Sequence, residues 1–339
     1  MRNVLANLDV FELHDFLRSM PGPPNQPRRA DWKRLTVDER LRRNDQRLEY
    51  LNSDWLLATP RLEAILARVS TVQNRNTFRA AERFAVLIDG PSGSGKTTGL
   101  LAAGALEANT LPDGAAPTVV GVEVPAPCTA KNLLQEYLNR IRVTPPKRVT
   151  TSELMRCVVE NYNRLGIRLV LVDEIQHLAY RHQQAVDAAN TLKSLTNKLT
   201  ATTVYAGVEI ATSHLMNGAH GQQLARRSER EVTSPTTLAG GTGEWRQMIR
   251  VFEQHLTLLD HTPGTLDTHH RYLFDRTGGS IGTLRNLLVD AASRRIRAHS
   301  RALREGGAAT RVTETLGLAE LDAEKVNMAA ELGLARSAA

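Results

Sequence analysis

Gly90-Pro91-Ser92-Gly93-Ser94-Gly95-Lys96-Thr97 follows directly on the apolar run Phe84 to Ile88 and on Asp89, and its reading decides the fold. The stretch satisfies G-x-x-x-x-G-K-[ST], a phosphate-cradling loop that joins a buried strand to a helix. The glycines let consecutive backbone N–H groups turn inward around phosphate oxygens. Lys96 reaches toward the β and γ phosphates, and the Thr97 hydroxyl is placed to ligate Mg²⁺. The following helix points its positive end at the same anion. The run from Gly90 to Thr97, with Thr98 beside it, is therefore expected to bind ATP.

A strand, a glycine loop and a helix in this order open an α/β sheet, and the neighbouring sequence agrees. Short apolar runs at Phe84 to Ile88, Thr118 to Val124, Ile167 to Val172 and Thr202 to Ala206 read as buried strands. Between them lie helical patterns at Lys131 to Ile141 and Glu153 to Leu165. In the second, Leu154, Cys157, Val158 and Tyr162 share one face, and Thr150 with Glu153 has capping-box spacing. Strands alternating with helices predict a parallel sheet covered on both sides. Beyond about Gly240 only helical patterns remain: Trp245 to Leu256, Leu266 to Arg276 and Ile281 to about Leu303.

Composition fits this picture. The 339 residues correspond to about two domains at roughly 150 residues each. With 41% hydrophobic and 23% charged residues the chain is neither disordered nor fibrous. Lys and Arg together number 43 against 36 acids, giving +7, and only seven of those cations are Lys. Such a surplus suits an anionic polymer, or reflects composition and solubility alone, and the planar arginine fork suits phosphate and carboxylate. Two cysteines, Cys128 and Cys157, are too few and too far apart for a disulfide framework or a paired-cysteine zinc site. His177 and the His269-His270 doublet lack a third ligand at suitable spacing. Asp9, Glu12 and Asp15 interrupt the apolar pattern of Met1 to Leu17, and no stretch is long and apolar enough to span a membrane. These features lead to the expectation of a cytoplasmic protein.

Residues 1–60 read as an extension: an amphipathic piece, the breaker Pro21-Gly22-Pro23-Pro24, then a charged surface helix with Leu35, Leu41, Leu48 and Leu51. The expected division is this extension, an ATPase core over 61–240, a helical lid over 241–305 and a tail over 306–339.

A nucleotide hydrolase needs acids opposite its phosphate loop. Leu169-Val170-Leu171-Val172 ends in Asp173-Glu174, which reads as a Walker B strand. Asp173 would hold Mg²⁺, and Glu174 would polarise the attacking water as general base. The adjacent glutamate favours a hydrolase over a kinase or a GTPase switch. Further positive charge for the γ phosphate points to Arg226 and Arg227, placed to cross a subunit boundary, and to Arg285, placed to act within its own subunit. At the end of the fourth strand Val208 stands where a polar, water-orienting group is usual, leaving Thr203, Glu209 or neither for that role.

The order of these motifs resembles the AAA+ ATPases, and within them the transposition helpers that include TniB, TnsC and, more distantly, IstB and MuB. The resemblance covers about residues 50–300. It rests on Asp54-Trp55 with Thr59-Pro60, the P-loop, Leu171 through Leu178 with its Asp173-Glu174-Ile175-Gln176-His177 run, and Tyr205 through Glu209. Leu224-Ala225-Arg226-Arg227 and Thr277 through Gly282 complete it. The Asp-Glu-Ile-Gln-His run and the Gly278-Gly279-Ser280-Ile281-Gly282 entry resemble TniB most. The chain departs from the group at Gly207-Val208, where Gly-Thr is common, and at Arg227-Ser228, where Arg-Phe often marks the arginine finger.

The resemblance implies an AAA+ core with a helical lid and a homo-oligomer, ring or filament, holding ATP and Mg²⁺ at its subunit boundaries. It further implies assembly on double-stranded DNA, choice of target sites, recruitment or stimulation of a DDE transposase, and disassembly controlled by hydrolysis. Phosphate contacts from the core loops are then expected at Lys131, Lys147 and Arg148. Arg294, Arg295, Arg297, Arg301 and Arg304 read rather as a solvated face or a protein interface. Trp55, with Leu56 and Leu57 beside it, is expected either as an apolar wall beside the adenine or as core packing alone. Two other readings fit the motifs: a nucleotide-gated protein-interaction switch, and an initiator or helicase-loader ATPase.

Overall fold

The computed structural model describes residues 4–24, 29–79, 83–145, 147–178, 183–210, 226–233, 243–306 and 313–323. Five helices come first: α1 (Val4–Asn7), α2 (Val10–Arg18), α3 (Arg29–Arg34), α4 (Val37–Asn52) and α5 (Pro60–Thr77). Then follow β1 (Ala85–Asp89), α6 (Lys96–Asn109), β2 (Val119–Glu123), α7 (Ala130–Arg140), α8 (Thr151–Arg164) and β3 (Leu169–Asp173). A 3-10 turn over Ile175–Leu178 leads to α9 (Gln183–Lys198), β4 (Thr202–Gly207) and β5 (Ser228–Val232). The described helices α10 (Gly243–Gln254), α11 (Thr265–Thr268), α12 (His270–Thr277) and α13 (Ile281–Arg304) close the series.

The sheet runs β2-β3-β4-β1-β5, and every pairing is parallel. In β1, β3 and β4 every residue is buried, as strands covered on both faces must be. Their continuous apolar runs are what made them legible. The register sets Asp89 beside Gly207 and Glu123 beside Asp173, so the strand ends line up along one edge. The expected capping box forms: the Thr150 N–H donates to Glu153 Oε2 at 2.8 Å, and the Glu153 N–H donates to Thr150 Oγ1 at 3.3 Å.

Strand β5 has no apolar run to mark it in the sequence. Its Ser-Glu-Arg-Glu-Val sequence carries charge where an interior strand carries apolar side chains, because an edge strand pairs on one side only. Glu229 binds Arg68 and Arg75 of α5, and Arg68 also reaches Glu231, so these charges attach the edge strand to the helix beside it.

The division of the chain corrects the expected boundaries. One compact unit comprises Met1–Met20 with Arg61–Ser234, the other Pro21–Pro60 with Pro235–Ala339. The first sixty residues are therefore no single extension. In the sheet unit, α2 is fixed by a capping box in which Asp9 accepts from the N–H groups of Phe11 and Glu12. Leu13 and Leu17 are fully buried, and Arg140 and Arg18 donate to the carbonyls of Leu8 and Leu111. This amphipathic segment buries its apolar stripe in the sheet unit itself.

In the second unit, helix α4 is no surface helix, since Asn44, Arg47, Tyr50 and Leu51 are all buried. They join a core with Trp245, Met248, Leu256, Leu284 and Leu288, to which Leu316 and Leu321 of the expected tail also belong. Glu314 anchors that segment as a buried carboxylate, 2.9 Å from Arg47 Nη2 and 2.5 Å from His299 Nδ1.

Candidate functional site

The P-loop leaves β1 at the common edge. Gly93 and Gly95 have φ of 76° and 91°, backbone that a Cβ would strain, so glycine is required for the loop to turn. Gly95 caps α6 with no side chain, leaving the first N–H groups of that helix facing the loop. Lys96 is buried, and its Nζ donates to the Pro91 carbonyl at 2.8 Å, closing the loop over itself. Burial lowers its pKa, while the carboxylates of Asp173, Glu174 and Asp89 favour its charged form.

Opposite the loop, Thr97 Oγ1 donates to Asp173 Oδ2 at 2.7 Å, so both expected Mg²⁺ ligands are in contact. Burial raises the Asp173 pKa, partly offset by that hydroxyl and by the Glu174 N–H, which donates to Asp173 Oδ1 at 2.9 Å. A half-buried neighbour on β2, Glu123, is likewise raised by burial and by the negative charges of Asp173 and Glu174. A buried acidic edge beside a phosphate-shaped loop fits a cation bound together with a polyphosphate. The residues present therefore fit ATP and Mg²⁺. Among the described residues no cluster of three His, Cys, Asp or Glu offers a metal site, and His177 Nδ1 instead hydrogen-bonds the Val124 carbonyl at 2.8 Å.

Glu174 sits at φ 59°, a strained position for a residue with a Cβ, and its carboxylate accepts from Gln176 Nε2. Gln176 Oε1 accepts the Val208 N–H at 3.1 Å. Thr203 lies at the opposite end of β4, paired with Ala85 and Val170, and so stands away from the acidic edge. The role left open between Thr203 and Glu209 therefore has a third candidate, Gln176.

Three further residues had no clear signature in the sequence. Asp89, almost fully buried, accepts from the Ile210 N–H at 3.0 Å and from Arg230 Nη2 at 2.9 Å. The Thr233 N–H donates to the Asp89 carbonyl at 2.7 Å, and the Thr233 hydroxyl meets Ser94 Oγ at 2.7 Å. Strand β5 thus supports the loop from the side away from Asp173. Only the position of Asp89 at the end of the P-loop strand hinted at this.

The arginines fall elsewhere. The Arg227 carbonyl accepts from the Ala85 N–H, which places Arg227 at the start of β5 and at the end of β1 remote from its own P-loop. Its Nη1 donates to Asn197 Oδ1 at 3.1 Å, and the adjacent Arg226 is exposed. Gln222 through Ala225, which led into this pair in the sequence, lie outside the described residues. Arg285 donates to the Ser53 carbonyl at 2.7 Å and lies 4.9 Å over the Trp55 ring, inside the helical unit. Trp55, expected as an adenine wall, is 3% exposed and also stacks with Tyr50 at 5.6 Å. Core packing is the role the structure shows for it.

Lys131 is exposed on the first turn of α7, and Lys147 and Arg148 are exposed in the segment before α8. Arg297, Arg301 and Arg304 are exposed on α13, whereas Arg295 pairs with Glu320 at 3.4 Å. Among the described residues no helix is long and apolar enough to cross a membrane.

Two solved structures share this fold. One is the Aeropyrum pernix ORC1 protein in complex with DNA, 19% identical with a TM-score of 0.56, over 82% of this chain and 67% of that one. The other is the Aeropyrum pernix ORC2 protein in ADPNP-ADP complexes, 15% identical with a TM-score of 0.53, over 83% and 71%. Comparison with curated proteins finds no significant match. The parallel sheet with its P-loop, Walker B pair and helical C-terminal unit is an AAA+ fold. The family model for the bacterial TniB protein matches residues 47–236, over half of the sequence, and the chain belongs to the TniB family.

Proposed function

We propose that this chain is an ATP-hydrolysing, DNA-associated AAA+ protein that assembles on double-stranded DNA, selects target sites and recruits or activates a DDE transposase. Hydrolysis would control disassembly. The observation that carries the ATPase reading is the contact of Thr97 with Asp173 beside the buried Lys96 and the Walker B Glu174. Thr97 and Asp173 would hold Mg²⁺ with ATP there, and the ion would supply charge neutralisation to the triphosphate. The protein's own residues do the rest. P-loop N–H groups and Lys96 bind the triphosphate, Asp89 and Thr233 brace the loop, and Glu174 takes the proton of the attacking water.

Support for the DNA half comes from membership of the TniB family, the basic excess of +7 and the likeness to an ORC1 protein solved in complex with DNA. Arg226 or Arg227 would complete a neighbour's site across a subunit boundary, as their distance from their own P-loop suits. Glu174→Gln tests the assignment, because it keeps the shape of the site and removes the base. The variant should bind ATP, lose turnover by about 10²- to 10⁴-fold, and accumulate DNA-bound oligomers visible by electron microscopy. Unchanged turnover would remove Glu174 from the base role.

A further inference from the structure

We infer that Gln176 is the positioning residue for the general base, and that it does the work which a polar side chain on the sensor strand does elsewhere in the group. The inference rests on the ATPase reading of this site. Gln176 occupies the 3-10 turn directly after the Walker B strand. Its amide is used at both ends: Nε2 donates to Glu174 Oε2, and Oε1 accepts the Val208 N–H at 3.1 Å. The side chain therefore ties the carboxylate of Glu174, just past β3, to the backbone at the end of β4.

Two departures in the sequence are explained together by this arrangement. Position 208 can be valine, because the group read at that point is its backbone N–H, which every residue but proline supplies. Glycine at position 207 leaves room for this amide, because a Cβ there would lie 2.6 Å from Gln176 Oε1 and 2.6 Å from Ile210 Cδ1, and both side chains would have to shift. The usual Gly-Thr pair has thus kept the glycine that makes room and given up the hydroxyl that the glutamine replaces. Three side-chain torsions separate the Glu174 backbone, held at φ 59°, from its carboxylate, so the backbone alone does not settle where that carboxylate points. A fixed amide donor does so. Because the amide also binds the end of β4, any shift of that strand end moves the base, coupling the sensor strand to hydrolysis without a polar sensor side chain.

The test uses the full chain with Mg-ATP, measuring kcat and, separately, nucleotide affinity. Gln176→Ala should lower kcat by about tenfold to a hundredfold, less than the roughly 10²- to 10⁴-fold that the base itself contributes, with ATP affinity changed less than about twofold. Gly207→Ala, which displaces the amide by another route, should give the same split. Adding Gln176→Ala to Glu174→Gln should cost nothing further, since the group being positioned is gone. A hydrolysing wild type whose Gln176→Ala variant keeps its kcat, or loses affinity and kcat together, overturns the inference alone. A wild type that binds ATP and turns none over, with or without DNA, removes the hydrolase reading and this inference with it.

Discussion

Thr97 and Asp173 touch at 2.7 Å although one opens the helix after β1 and the other ends β3, with β4 lying between those strands. The sheet register brings a hydroxyl and a buried carboxylate to one point, and burial alone would leave that carboxylate poorly solvated. A cation bound with the nucleotide would relieve this. Wild-type protein should accordingly bind ATP at least about tenfold more tightly with Mg²⁺ than with EDTA, a difference of roughly 1.4 kcal/mol. Asp173→Ala should bind equally in both. Titration of a fluorescent ATP analogue under the two conditions reads the difference directly, and a persistent Mg²⁺ effect in the variant would place the metal elsewhere.

Lys96 spends its charge inside the loop, where its ammonium caps the Pro91 carbonyl and faces three carboxylates. Lys96→Ala should weaken ATP binding by about a hundredfold or more, roughly 3 kcal/mol, and abolish ATP-dependent assembly. Lys96→Arg should not restore it, because a planar fork does not fit where a compact ammonium is buried. Normal DNA-bound oligomers in Lys96→Ala would separate assembly from nucleotide.

Legibility followed the physics of each element. The P-loop, four strands and the Asp173-Glu174 pair were readable because a buried parallel strand must be apolar throughout and a phosphate loop must be glycine-rich. Strand β5 was not, since its paired edge is specified by neighbouring backbone and by Arg68 and Arg75 rather than by its own hydrophobicity. The place of the N-terminal segment is hidden for a related reason. An amphipathic stripe such as Val10, Leu13 and Leu17 tells that something is covered, but not that the covered surface belongs to the following sheet. Trp55 and Arg285 stack on each other from segments far apart in sequence, a contact that neither residue's type nor its local pattern announces. Gln176 stood in plain view within the Asp-Glu-Ile-Gln-His run. Its role needs the Val208 N–H, and hydrogen bonds to backbone leave no side-chain signature.

Lys147 and Arg148 are exposed cations on a segment that follows Pro145. Replacing both with glutamate should weaken binding to duplexes of unrelated sequence by similar factors. The slope of log affinity against log salt should fall by about one for each phosphate that is no longer neutralised, hence by up to about two. Lys131→Glu should act in the same direction with a smaller step. An unaltered slope in the double variant would move the DNA surface elsewhere.

Glu314 offers a pH test confined to the helical unit, because all three tryptophans, Trp32, Trp55 and Trp245, lie there and report on it by fluorescence. Burial alone would raise the Glu314 pKa, but His299, Arg47 and the Leu259 N–H overcome it and hold the carboxyl at about 2 against an ordinary 4.5. A depressed folded-state pKa means the unfolded chain takes up the proton first. The stabilisation is therefore complete above about pH 4.5 and is lost as pH falls toward 2, amounting to about 3 kcal/mol for that shift. Fluorescence-detected melting should show the helical unit weakening across this window. Glu314→Gln should start less stable at neutral pH and lose the part of the acid limb that belongs to this carboxyl. Arg47→Met should cost about 3–5 kcal/mol at neutral pH by leaving a buried charge without its guanidinium partner. An acid limb of equal size in Glu314→Gln would assign the transition to another carboxylate, with Asp267, held at about 2 by Arg246 and Arg250, the next to substitute.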